Sequence, residues 1–323
     1  MIRIGILGEI GSGKSYVANK FGYPVFNADL EVSKLYNKNK KIFFKLNKKL
    51  PKYISKEMVT LVVQKQELSE HKQYQNRVNR IMEVDNNIGI AKTRELICKD
   101  AGSQRFYMID DDIIFHRRNR KYYKEFNNKS NMKKSKRIAT EKDIEKMFKI
   151  VDGWLNDPDL ISVGHRRHFY PPYRNKSYVD NTLAHGVVAI DGKKLQSFIK
   201  HIEWDTCQYG EDVNFNFEYM TRGYKNRITD EFCAQMGFYQ KGGVNEDRNA
   251  KTFKESHDNL MNRWPEYVTL KEESVVRETI GEITEYKYDW RKAYKDGIIN
   301  FDKTQPPKRV DKHYRIKNER TNA

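Results

Sequence analysis

Apolar and polar positions alternate along this chain with two periods, about 2 residues in some stretches and about 3.6 in others. Residues 2–8 (IRIGILG) read as a short buried strand, Gly8 to Ser15 as a glycine-rich turn, and Lys14 to Phe21 as the start of a helix. A second strand is expected over 23–29 (YPVFNAD), followed by a Lys-rich helical stretch over 31–56 with Phe43, Phe44, Leu46 and Leu50 on its apolar positions. The β-branched run 58–63 (MVTLVV) predicts a strand, as do 79–85 (NRIMEVD) and 105–109 (RFYMI). Asn86-Asn87-Ile88-Gly89 is a turn that leads into a helix from Ile90 to Cys98, and a polar helix is expected over 140–155. Further on, 160–164 and 185–190 read as strands, 192–199 and 212–222 as helices, 227–233 as extended chain, and 252–264 as a helix stopped by Pro265. The tail from Asn300 is polar and basic and has no apolar period. Strands alternating with helices, with no internal repeat, predict an α/β fold.

Composition narrows the function classes. The 323 residues exceed one average domain, and 38% hydrophobic with 12% aromatic residues suffices for a core. No apolar run approaches the roughly 20 residues of a membrane helix, so no membrane partner is expected. The first apolar stretch ends in a glycine-rich turn, unlike a signal peptide. Three distant cysteines offer neither a disulfide framework nor zinc spacing, which makes a reducing cytoplasm the expected compartment. The net charge of +17 suits a polyanion such as nucleic acid, and it equally suits a Lys- and Asn-rich composition bias. Between Arg117 and Arg137 ten Lys/Arg face one acid, Glu125, with Tyr122, Tyr123 and Phe126 interleaved. Such a segment fits phosphate contact with base stacking on DNA, or a solvated loop.

Two constellations carry chemistry. The first, Gly8-Glu9-Ile10-Gly11-Ser12-Gly13-Lys14-Ser15, has the phosphate-cradle pattern G-x-x-x-x-G-K-[ST] between a strand and a helix. Backbone N–H groups freed by Gly8, Gly11 and Gly13 would curl around ATP phosphates, Lys14 would neutralise β/γ charge, and Ser15 would ligate Mg²⁺. The stretch GILGEIGSGKSYVANKFGYPVFNADLEV resembles the amino-terminal part of dephospho-CoA kinases and of phage deoxynucleoside monophosphate kinases. This resemblance, which ends near residue 55, puts Asp29 at the acceptor-side aspartate. The arginine-bearing lid and the nucleoside-binding helices of such a kinase are not found.

The second is acidic. Asp110-Asp111-Asp112 follows a buried strand, where mutual repulsion favours a divalent cation. An acidic partner for the phosphate cradle and an exposed acidic turn are the competing readings. Glu211-Asp212 at a helix start suits acceptance of a hydroxyl proton, or simple helix capping. Together these look like a GT-A (Rossmann-like) glycosyltransferase with Asp110-x-Asp112 as its D-x-D, Gly210-Glu211-Asp212 as its x-E-D, and Asn181–Gly186 as the glycine-containing segment between them. Residues 58 to about 272 resemble the TET-associated glycosyltransferases of phages through VTLVVQKQE, DNNIGIAKTRELI, FYMIDDDI, GEDVNFNF, GGVNEDRN and SHDNLMNRWPEYVTLK.

That resemblance implies a UDP-sugar donor, Mn²⁺ or Mg²⁺ bridging its diphosphate, and a hydroxymethyl-type pyrimidine in DNA as acceptor, in the host cytoplasm if the gene is a phage's. It implies Asp110, Asp112 and His257 as metal ligands, with Asp110 shared with the ribose. Arg94, Asp110, Asp111 and Gly186 would meet the donor, and Glu211 and Asp212 the acceptor hydroxyl. Trp204 and Trp264 read as sugar-stacking or core residues. The expected organisation is an incomplete kinase-like segment over 1–57, a GT-A-like domain over 58–299 and a basic tail over 300–323. The family's own first strand and loop are missing. Either the phosphate-cradle strand replaces them or the chain is a fusion of two genes. A P-loop kinase and a non-catalytic nucleic-acid-binding protein are the alternatives.

Overall fold

The computed structural model describes residues 56–110, 113–118, 136–166, 177–207, 209–236, 249–277 and 281–300. All of them fall in the second of the two units into which the chain divides, Lys49–Ala323. The expected strands at 2–8 and 23–29, the helix beginning at Lys14, nearly all of the 31–56 helix, and the tail beyond Asn300 lie outside the described residues.

This unit is mixed α/β. Strands β1 (Thr60–Gln64) and β2 (Arg80–Val84) pair in parallel, from Thr60 opposite Arg80 to Gln64 opposite Val84. Short helical turns, including α1 (Leu68–His71), connect them. Helix α2 (Ile90–Ala101) follows Gly89, whose φ of 84° suits glycine. The main sheet has seven strands in the order β3-β8-β6-β9-β4-β5, with β7 also pairing β9. Its members are β3 (Arg105–Ile109), β4 (Ile113–Arg118), β5 (Lys136–Ile138), β6 (Leu160–Arg166), β7 (Tyr178–Asp180), β8 (Val187–Asp191) and β9 (Lys225–Met236). Only β6 and β9 run parallel in it. Strands β6 and β8 read as continuous apolar runs because both of their faces are covered.

Helix α3 (Glu141–Trp154) starts on a capping box, in which the Thr140 hydroxyl accepts from the Asp143 N–H and the Asp143 carboxylate accepts from the Thr140 N–H. Its apolar stripe of Ile144, Met147 and Val151 is buried. Two cations satisfy carbonyls at its end and in the chain that follows. Arg105 donates to the Asp152 and Leu155 carbonyls, and Lys194, on α4 (Gly192–Gln196), donates to those of Leu155, Asp157 and Leu160.

Helix α5 (Glu211–Met220) is buried on every side from Val213 to Met220. Helix α6 (Ala250–Arg263) ends before Pro265, as its sequence predicts. Besides the short strands β5 and β7, three larger segments were not expected from periodicity. These are β4, the hairpin β10–β11 (Val268–Arg277 and Gly281–Tyr288), and helix α7 (Trp290–Asn300). The hairpin and α7 close over α5, where the Phe217 and Trp290 rings stack at 4.4 Å. A Cβ on Gly297 would stand 2.1 Å from the Met220 carbonyl oxygen, so α7 can approach α5 only with glycine there.

The structure decides between readings that the sequence leaves open for the tryptophans. Trp204 and Trp264 are core residues. Trp204 stacks on Phe215, and the Trp264 indole N–H donates to Asn214 Oδ1 over 2.9 Å, leaving neither face for a sugar. The ends of the basic segment are tied internally. Arg117 and Arg137 both bind Asp143, Arg117 also binds Glu231, and Lys136 donates to Gln235. Burial works against ionisation of Asp143, but hydrogen bonds from Arg137, Thr140 and Arg117 outweigh it and hold the carboxyl well below its usual range. The guanidinium groups of Arg117 and Arg137 therefore take part in holding the fold. Residues 119–135 lie outside the described residues. The three cysteines are buried and form no disulfide, with burial lifting the Cys98 and Cys233 thiols to about 12.

His165, on β6, is 2% exposed between the rings of Tyr107 and Phe115, and neither ring nitrogen has a hydrogen-bond partner among the described residues. Burial lowers its pKa from 6.5 to about 3. The neutral ring is thus favoured by folding. Its share of stability is whole above pH 6.5 and is lost as pH falls towards 3. From pH 6.5 to 5 the loss from this group is about 2 kcal/mol. Urea unfolding at pH 7 and pH 5 is expected to show this extra drop in wild type and not in His165→Phe. Equal drops in the two proteins would contradict the assignment.

Candidate functional site

The site assembles where three elements end or begin. Helix α2 carries Arg94 one turn from its start, β3 delivers Asp110 at its carboxyl end, and α5 opens with Glu211 and Asp212 in its first turn. In α/β sheets, ligands bind outside the carboxyl ends of strands, where helix starts also converge. Gly210 precedes α5 with φ of 90°, a left-handed conformation that turns the chain sharply into the helix.

Arg94 joins the parts. Its Nη1 lies 2.7 Å from Glu211 Oε1 and its Nη2 lies 3.8 Å from Asp110 Oδ1. All three side chains are largely enclosed, at 15%, 13% and 28% exposure for Arg94, Glu211 and Asp110. Sequence reading left Arg94 open between a donor contact and a surface ion pair. The structure gives an ion pair, but an enclosed one at the meeting point of the predicted residues. Burial disfavours the Arg94 charge, and the carboxylates of Glu211, Asp110 and Asp212 more than restore it. Glu211 has the opposite balance. Burial and the neighbouring Asp212 charge lift its carboxyl to about 7, against the pull of Arg94. A buried carboxyl poised near neutrality is suited to accept a proton.

Gly186 belongs to the same place. Its φ is 70°, and its carbonyl accepts the Asp110 N–H over 3.2 Å, one step beyond the pairing of Ile109 with Val187. His257, on α6, is 6% exposed and stacks on Phe253 at 3.9 Å between centroids. Its Nδ1–H donates to the Phe253 carbonyl over 2.8 Å, which fixes the orientation of the ring. That Nε2 lies 3.9 Å from the point where a Cβ on Gly210 would stand. His257 therefore adjoins the start of α5.

Asp110 and His257 are the described members of the expected metal set. Asp111 and Asp112 lie outside the described residues, and among the described residues no three His, Cys, Asp or Glu side chains gather as a metal site. The donor types fit a divalent cation of the Mn²⁺ or Mg²⁺ kind, with carboxylate oxygens first. The phosphate-cradle residues Gly8, Gly11, Gly13, Lys14 and Ser15, with Asp29, also lie outside the described residues. No helix among the described residues is long and apolar enough to cross a membrane.

Sequence reading missed the polar groups that fix this site from below. Asn216, Tyr219 and Asn226, with Ser162, form one buried hydrogen-bonded cluster against the 181–186 segment. The available signal was the occurrence of Asn214, Asn216 and Glu218 among the apolar residues of VNFNFEYM. On a helix buried all round, every such polar side chain needs a partner.

No protein-family model matches the chain. The chain is similar to the dephospho-CoA kinase of Wolbachia sp. subsp. Brugia malayi (strain TRS), with 32% identity over 126 residues, 35% of this chain. It spans 65% of the length of that curated relative. The similarity supports a kinase-like segment in the chain.

Proposed function

We propose that residues 58–299 form a GT-A-like, metal-dependent glycosyltransferase that moves a sugar from a UDP-sugar to a hydroxymethyl-type pyrimidine in DNA. The observation that carries this reading is the Arg94 guanidinium set between Asp110 and Glu211. It unites a strand-end aspartate suited to a nucleotide-sugar site with a buried carboxyl suited to take a proton. In the reaction the acceptor hydroxyl oxygen bonds to the anomeric carbon, the bond from that carbon to the diphosphate breaks, and the diphosphate departs with the electron pair. Glu211 receives the hydroxyl proton, with Asp212 raising its basicity. Arg94 releases Glu211 as it turns to the donor's negative charge. Asp110, with Asp112 and His257, would hold the divalent cation, which offsets charge on the departing diphosphate.

A second reading, a P-loop phosphotransferase using Lys14, Ser15 and Asp29 with ATP and Mg²⁺, is favoured by the similarity to dephospho-CoA kinase. Thermal shift separates the two, since a ligand of the folded state raises its melting temperature. The transferase reading expects stabilisation by a UDP-sugar with Mn²⁺ that Asp110→Asn weakens at least tenfold in concentration dependence and Lys14→Ala leaves unchanged. Stabilisation by ATP alone, lost in Lys14→Ala, would replace it with the kinase reading.

A further inference from the structure

The buried cluster beneath the site has a geometry that helix stability alone does not require. The Asn216 amide grips both backbone groups of one residue. Its Oδ1 accepts the Ala184 N–H over 3.1 Å, and its Nδ2 donates to the Ala184 carbonyl over 2.9 Å. Asn226 repeats the grip two residues earlier, accepting the Thr182 N–H and donating to the Thr182 carbonyl. The two amides are joined, because Asn226 Nδ2 also donates to Asn216 Oδ1 over 2.6 Å. Side-chain amides thus supply, at alternate residues, the backbone partners that this segment lacks in the sheet. Both asparagines are 1% exposed or less, so the grip is dry and its loss leaves backbone groups unpaired.

The gripped segment runs directly to Gly186, whose carbonyl accepts the Asp110 N–H. At its other end Asn216 Nδ2 donates to the Asp212 carbonyl, in the first turn of α5. One side chain therefore ties the start of α5 to the segment that seats Asp110. We infer that Asn216 is a positioning residue for nucleotide binding, setting the height of residues 182–186 against the carboxyl end of β3. The inference rests on the transferase reading.

Asn216→Asp keeps the size of the side chain and its acceptor for the Ala184 N–H, but loses the donor to the Ala184 and Asp212 carbonyls. Asn216→Ser removes the grip without adding a buried charge. Ser162→Ala is the control, since the Ser162 hydroxyl donates to the Tyr219 hydroxyl of the same cluster rather than to the backbone of residues 182–186. Two quantities are measured for each protein: the UDP affinity in the presence of Mn²⁺, and amide hydrogen exchange over 181–187 and 106–110. The Asn216 variants are expected to exchange at least tenfold faster in both peptides and to bind UDP at least tenfold more weakly. Ser162→Ala, at a comparable melting temperature, is expected to match wild type in both. If Ser162→Ala weakens UDP binding as much, the cluster acts only through global stability and the inference is wrong. Unchanged UDP binding in both Asn216 variants overturns it too. Wild type that fails to bind UDP overturns the transferase reading itself, a result distinct from either.

Discussion

Glu211→Gln is expected to slow glycosyl transfer by about 10²- to 10⁴-fold, the usual contribution of a positioned general base. Gln keeps the shape of the side chain and an oxygen for Arg94, so donor affinity should hold while the chemical step fails. The pH profile gives an independent check. Burial and the Asp212 charge lift the Glu211 carboxyl from 4.5 to about 7, and a general base acts in its deprotonated form. The rate in wild type should therefore fall about tenfold per pH unit below 7 and level off above it. Asp212→Asn removes a negative charge from beside Glu211 and should move the midpoint down. Arg94→Gln removes the nearby positive charge and should move it up. A midpoint near 4.5, or one that neither change moves, would take the base role away from Glu211.

The largest loss of stability is expected at Glu218, which has no contact with the ligand groups. Its carboxylate is fully buried and binds two arginines, Arg222 over 2.5 Å and Arg263 from α6. Arg263 reaches on to Glu203, and Arg222 lies over the Phe198 ring at 5.0 Å. Glu218→Gln leaves two guanidinium groups enclosed with less negative charge to balance them. Removing one member of a buried ion pair costs about 3–5 kcal/mol, so the urea midpoint should fall steeply. Replacing the half-buried Glu145, paired with Lys149 along α3, should change stability by less than about 0.5 kcal/mol. A Glu218→Gln protein as stable as the Glu145 variant would show that the network adds nothing net. Helix α5 thus carries two kinds of carboxylate, the proposed proton acceptor Glu211 in its first turn and Glu218, which anchors α6, near its end.

Much of the frame was legible in the sequence because it depends on short-range rules. The expected strand at 105–109 coincides with β3, and the helix expected over 140–155 is α3, with its capping box in the letters Thr140 and Asp143. The Asn-Asn-Ile-Gly turn before α2 is visible because Asn87 and Gly89 both take positive φ. Strand β4 was hidden. Ile113 and Phe115 face inward while Ile114 faces out, yet three aspartates before it and the basic run after it blur the alternation. The β10–β11 hairpin was hidden because it carries Leu270 and Val276 exposed as well as Val268 and Ile283 buried, so its two faces do not sort by polarity.

By itself the sequence determined that strands and helices alternate, that Asp110 ends an apolar strand, that Glu211 and Asp212 open a helix, and that Trp264 stands just before a proline stop. Each follows from neighbours along the chain: period, capping and turn chemistry. Only the tertiary structure decided that Arg94, Asp110 and Glu211 meet, although 117 positions separate the first and last of them. It also decided that the two tryptophans are core, that Arg117 and Arg137 are bound to Asp143, and that Asn216 grips Ala184. Burial and through-space charge set those outcomes, and neither is a property of adjacent residues. A carboxyl at 4.5 in water stands near 7 here because of what the fold places around it.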